Sequence, residues 1–125
     1  MIYGIGTDIV EVGRIEERLA RFGDAFARRI LGEAEWPEYA ASPLKPRFLA
    51  KRFAAKEACA KALGCGVRAP ATLPNITVSH DPFGKPILVF APMLQEWVEA
   101  RGIRSAHLSI SDEKALAVAF VVLES

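Results

Sequence analysis

Cysteine is scarce: only Cys59 and Cys65 occur in 125 residues. Both lie in one segment that reads as helical, and a disulfide framework needs more of them. The expectation is a reducing cytoplasm, with both thiols buried or inert. Long hydrophobic runs are also missing. The longest late one, 115–123, has nine residues, about half of what a membrane-spanning helix needs. The opening stretch MIYGIGTDIVEV is apolar but has no basic leader and carries Asp8 and Glu11, so it is expected to be neither a signal peptide nor an anchor. Neither sign of charge is in excess, with 16 basic and 15 acidic residues and a net charge of +1. No global pull toward nucleic acid or membranes follows, and neither is an expected partner. The two histidines, His80 and His107, and the two cysteines give no zinc spacing. The GIG at 4–6 lies inside a strand-like run and lacks the GxGxxG spacing. No serine-histidine-acid order stands out.

What is present is a globular composition, 51% hydrophobic and 25% charged, at the length of one domain, 1–125. Residues 2–12 alternate as a strand, with Gly4, Gly6, Asp8 and Val10 on one face and Ile5, Thr7 and Ile9 on the other. A helix is predicted near 13–21, and a second over 25–31, capped by Asp24. A helical turn or two at 33–39 precedes a loop at 42–46. The clearest helix is 47–63, ended by Gly64 and Gly66. Ala50, Ala54, Ala58 and Ala62 make a smooth ridge along it, suited to close packing. After a proline-bearing loop at 67–74, strands are predicted at 75–80 and 86–90 around a turn at 81–85. A helix at 92–100 ends at Gly102. A final hairpin, 107–111 and 115–123, turns at 112–114. Its last strand is apolar on both faces and belongs in the middle of a sheet. The sum is α+β: an antiparallel sheet with helices mainly on one side.

Four features carry possible chemistry. Asp8 stands mid-strand among glycine and valine, where aspartate is disfavoured. It is either a paired, hydrogen-bonded or metal-binding carboxylate or an acid at a solvated strand end. Glu57 and Lys61 sit four apart on the long helix. Such pairs are often surface salt bridges, but with Phe53 they form one file beside the alanine ridge, which would hold them near the sheet. Arg47, Arg52, Lys56 and Lys61 on the same helix are either a solvated face or ligands for an oxyanion that also carries a metal. Arg14, Arg18 and Arg21 make a basic stripe opposite Ile15 and Leu19, either solvated or a dock for an acidic partner.

GTDIVEV at 6–12, RFLAKRFAAKEACAKALGCG at 47–66, GKP at 84–86 and HLSISDE at 107–113 together resemble the holo-[acyl-carrier-protein] synthases, small 4'-phosphopantetheinyl transferases. The resemblance runs from end to end of the chain. It implies the phosphopantetheinyl transferase fold and transfer of the 4'-phosphopantetheine arm of coenzyme A to a serine of apo acyl carrier protein. Adenosine 3',5'-bisphosphate is released, in fatty acid biosynthesis. It further implies magnesium and a homotrimer with active sites between subunits. Carried over by motif position, Asp8 and Glu57 become magnesium ligands and Lys61 a phosphate contact. The catalytic set is then Asp8, Glu57 and Lys61, with Glu57 or a metal-bound water as base. Arg52 and the Gly84-Lys85-Pro86 turn fall where the family holds the adenosine bisphosphate. Asp112 is also assigned to that end; many relatives carry a histidine there. The Arg14, Arg18 and Arg21 stripe gains the acidic carrier protein as its partner. The competing reading is a non-catalytic, nucleotide-binding α+β regulatory module.

Overall fold

The computed structural model describes all 125 residues. The elements run β1 (Ile2–Glu11), α1 (Val12–Phe22), α2 (Asp24–Ile30), α3 (Trp36–Ala41), α4 (Lys45–Leu63), β2 (Ile76–His80), β3 (Pro86–Phe90), α5 (Pro92–Ala100), β4 (Ser105–Asp112) and β5 (Leu116–Glu124). The class is α+β, as read from the sequence, but the strands form two antiparallel sheets. One has the order β1-β5-β4 and the other is the β2–β3 hairpin. β3 lies alongside β4 without joining its ladder.

β5 is the central strand, as its two apolar faces predicted. Its inner residues Ala117, Ala119, Val121 and Leu123 are completely buried. α4 lies across this face and packs on β1 and β5. The packing is close because small residues meet on both sides. A side-chain carbon built on Gly4 would collide with the carbonyl oxygen of Ala62, and one on Gly6 with that of Ala58. The glycines of β1 and the alanine ridge of α4 are therefore one feature, and any side chain at position 4 or 6 would lift the helix off the sheet. Cys59 is completely buried in this layer, and burial, helped by nearby Cys65, pushes its thiol up to about 12. Its thiol is buried, as expected.

The opposite face of the three-stranded sheet has no layer over it. Ile5 and Ile9 are 59% and 63% exposed, and Phe120 is 46% exposed. Cross-strand register sets Thr7 opposite Phe120 and Ile9 opposite Val118, so these side chains share one apolar surface.

Most boundaries move by one or two residues, and three differences have a physical reason or bear on the site. α4 begins at Lys45, since Pro46 fits the first helical turn, where its missing N–H costs nothing. Asp24 does not cap α2; Gly23 holds the cap position and Asp24 is the first helical residue. Asp112 belongs to β4, paired with Ala117, and is not part of the turn.

Candidate active site

Asp8 is held at the site by the strand it seemed not to suit. Its face of β1 carries the two glycines, so α4 comes close enough for polar side chains on the helix flank to reach the strand. Lys61 does so. Its Nζ donates to the backbone oxygen of Thr7 at 2.9 Å and to Asp8 Oδ1 at 3.2 Å. Lys61 thus pairs with the strand acid across 53 residues. Glu57 lies one helical turn earlier. Burial raises its carboxyl above the ordinary range, the negative charge of Asp8 raises it further, and Lys61 opposes both. Asp8 and Glu57 line one open cavity of about 470 Å³, together with Arg14, Arg18, Phe26 and Phe53. Three carboxylates line the cavity, Asp8 and Glu11 from β1 and Glu57 from α4, and with a neighbouring ammonium and a basic rim they suit a phosphorylated ligand. The three are not grouped closely enough to hold a metal ion by themselves.

The remaining assigned residues gather at a second cavity of about 280 Å³, lined by Phe48, Lys51, Arg52, His80, Gly84, Pro86 and Asp112 among others. No lining residue is common to the two cavities. α4 serves both, with Phe53 and Glu57 facing one and Phe48, Lys51 and Arg52 the other. Those sets fall on different flanks of a helix turning 3.6 residues per turn. The turn 81–85 is held by Asp81, whose Oδ1 accepts from the backbone N–H of Phe83 at 2.8 Å and of Lys85 at 2.9 Å. Gly84 has φ of 86°, a conformation that favours glycine. Lys85 is exposed and its side chain is not part of the cavity lining. Asp112 Oδ2 accepts from Arg47 Nε at 2.8 Å.

Arg52 lines this cavity, but its guanidinium is already engaged. It donates to Glu35 Oε2 at 2.9 Å, to the backbone oxygen of Val78 at 2.8 Å and to Glu38 Oε2 at 3.0 Å. Lys56, completely buried, donates to Glu35 Oε1 at 2.5 Å and to the backbone oxygen of Ile30 at 2.6 Å. Burial lowers its ammonium below the ordinary lysine range, although Glu35 opposes this. Glu35 also accepts from the backbone N–H of Val78 and of Gly32. Glu35 is therefore the centre of a buried charged network that ties α4 to the β2–β3 hairpin, and sequence reasoning overlooked it. A carboxylate in a short turn segment looks solvated, and only the two cations 17 and 21 residues away reveal its role.

The basic stripe is exposed as its pattern implied. Arg14 and Arg18 reach the rim of the first cavity. Arg21 lies over the ring of Phe22, 5.2 Å from its centroid.

With this geometry in view, similarity to known proteins decides the family. A profile of the 4'-phosphopantetheinyl transferase superfamily matches residues 4–121. The holo-[acyl-carrier-protein] synthase of Nitrosospira multiformis is 58% identical over 124 residues, 99% of each chain. The chain belongs to the holo-[acyl-carrier-protein] synthase family. The fold agrees: the crystal structure of the Neisseria meningitidis synthase is 49% identical, covers 100% of both chains and has a TM-score of 0.97. The Bacillus anthracis synthase, solved in complex with CoA (3',5'-ADP), is 42% identical over 100% of this chain and 98% of that one, with a TM-score of 0.83. Family membership therefore covers the whole chain, including both cavities.

Proposed function

We propose that the protein transfers the 4'-phosphopantetheine group of coenzyme A to a serine hydroxyl of apo acyl carrier protein, releasing adenosine 3',5'-bisphosphate. The observation that carries this reading is the meeting of Asp8 and Glu57 at one cavity with a basic rim, with Lys61 paired to Asp8 beside it. Such transfer is mostly positioning and charge neutralisation. Magnesium suits the donor set, since it usually takes one or two protein carboxylates and fills its shell with phosphate oxygens and water. Asp8 and Glu57 would hold it, and when bound it would neutralise charge on the pyrophosphate. Lys61 contributes a further positive charge from the same side. Glu57 would take the serine proton as the hydroxyl oxygen attacks and the bond to the departing adenosine bisphosphate breaks. A non-catalytic nucleotide-binding module would have no use for this arrangement, and no observation favours it.

The active form is a homotrimer in this reading. Two features support it. The open apolar face of the three-stranded sheet is a surface that monomers seldom leave uncovered. The reacting cavity and the nucleotide cavity also lie on different flanks of α4, so the second cavity of one copy can complete the first cavity of its neighbour. The coenzyme's reacting pyrophosphate then lies at Asp8 and Glu57, and its adenosine end at the neighbour's Gly84, Pro86 and Asp112. We place the reaction in the cytoplasm, as part of fatty acid biosynthesis.

The direct test is to incubate the protein with coenzyme A, magnesium and an apo carrier protein and to weigh the carrier intact. A gain of one phosphopantetheine arm is the expected result; an unchanged carrier mass would overturn the transferase reading.

The carrier should dock on the basic stripe. Arg14→Glu combined with Arg18→Glu is expected to raise the KM for carrier at least about tenfold, by reversing rim charges that steer an acidic partner. The KM for coenzyme A should move much less. Wild-type carrier KM should climb with ionic strength, since exposed charges are screened beyond ~8–10 Å; the reversed variant should respond less steeply. Equal effects on both substrates would remove α1 as the dock.

A further inference from the structure

The short helix α2 has little that is polar to fix it in place. Its seven residues are too few to form a stable helix alone in water. Ala27 and Ile30 are buried, and Phe26 lines the reacting cavity together with Arg14 and Arg18. One hydrogen bond joins α2 to α4: Lys56 Nζ donates to the backbone oxygen of Ile30 at 2.6 Å. That oxygen lies at the end of the helix, where carbonyls lack partners within the helix and a cation is favoured. The same ammonium is anchored on Glu35 Oε1, which also accepts from the backbone N–H of Gly32 at 3.0 Å. One ion pair therefore holds the exit of α2 twice, Ile30 by its cation and Gly32 by its anion.

Packing alone does not call for a lysine here. Lys56 is completely buried. A buried ammonium is costly to desolvate, and an apolar side chain of similar volume often serves stability as well or better. What an apolar side chain lacks is a donor that fixes a helix end. Lys56 also stands directly before Glu57 on a helix that turns about 100° per residue. Arg52 and Lys56 share the face held by Glu35, while Phe53 and Glu57 share the next flank and line the reacting cavity.

We propose that Lys56 is a positioning residue for the transfer. Through the Ile30 carbonyl it sets where α2 stands, and with it the Phe26 wall of the cavity that the carrier serine must enter. The assignment rests on the transferase reading, in which the carrier arrives over Arg14 and Arg18 on α1. Those two arginines line the same cavity as Phe26, so a displaced α2 disturbs the carrier's approach and leaves the coenzyme's nucleotide end untouched.

Steady-state transfer by the full-length Lys56→Met variant tests this. KM for the carrier should rise about tenfold and KM for coenzyme A change less than about twofold, because a misplaced wall affects the substrate that passes it. Phe26→Ala should raise carrier KM by a similar factor. The double variant should be no worse than Phe26→Ala alone, since both changes remove the same wall and cannot act independently. Hydrogen exchange supplies a readout without turnover: α2 amides should exchange about tenfold faster in Lys56→Met, with those of β5 unchanged. Factors that multiply in the double variant, equal changes in both KM values, or unchanged exchange in α2 would each overturn the positioning role. A Lys56→Met chain that does not fold would overturn it too, by making Lys56 a residue of the core alone. Normal carrier KM in the variant refutes this role and leaves the transferase reading standing; a wild type that never modifies the carrier refutes both.

Discussion

Asp8→Ala and Glu57→Ala are each expected to lower the transfer rate by about 10²–10³-fold or more, the scale seen when one charge-stabilising group leaves a preorganised site. Neither should unfold the protein. Asp8 is only partly buried and its one side-chain partner, Lys61, is mostly exposed, so that pair adds little stability. Glu57 should even prove costly to the fold. Burial, and then the charge of Asp8, raises its carboxyl above the ordinary range. A raised acid binds its proton more tightly in the folded chain than in the unfolded one. Stability is therefore lost as pH rises from the ordinary carboxylate range through the raised value. In metal-free protein Glu57→Gln should raise Tm at neutral pH and change it little below about pH 4, where both states are protonated. Loss of activity beside a gain in stability separates a functional acid from a structural one. Near-normal turnover of either variant at limiting magnesium would refute the assignment of these two acids.

Glu35→Ala should have the largest effect on the fold, a loss of about 3–5 kcal/mol, because it strips the counter-charge from two buried cations. Arg52 would keep Glu38 and the Val78 carbonyl, but Lys56 would keep only the Ile30 carbonyl. A loss of this size is a large part of the roughly 5–15 kcal/mol that holds a domain together. Urea denaturation with the carrier-free protein measures it. A cost under about 1 kcal/mol would mean that water reaches these cations and that the network is not sealed. Lys56→Met is the milder companion. It removes an ammonium that burial already disfavours, so it should cost clearly less than Glu35→Ala.

Most of the frame was legible because it depends on local pattern. The alternation of β1, the alanine ridge of α4 and the apolar last strand each dictated a packing partner, and each found it. The tight meeting of Gly4 and Gly6 with α4 followed from two motifs that could be read separately, and it explains why Asp8 and Lys61 touch. The division into two sheets was not legible, since nothing in the hairpin 76–90 says which strand it will lie beside. Arg52 illustrates a different limit. Its position in a basic, phosphate-suited helix pointed to a ligand, and what could not be read was that three of its five N–H donors go to Glu35, Glu38 and Val78. Long-range pairing of this kind leaves no periodic trace.

Mixed oligomers test most directly whether each site is built by two copies. One variant, Asp8→Ala, spoils the reacting cavity; another, Lys51→Glu with His80→Glu, spoils the nucleotide cavity by charge reversal. Each is expected to be inactive alone at limiting coenzyme A. Refolded together in equal amounts, they should regain about one quarter of the wild-type rate, because in a closed ring roughly that share of interfaces pairs two intact halves. Activity no higher than the residual rates of the separate variants would contradict a shared site and return both cavities to a single chain.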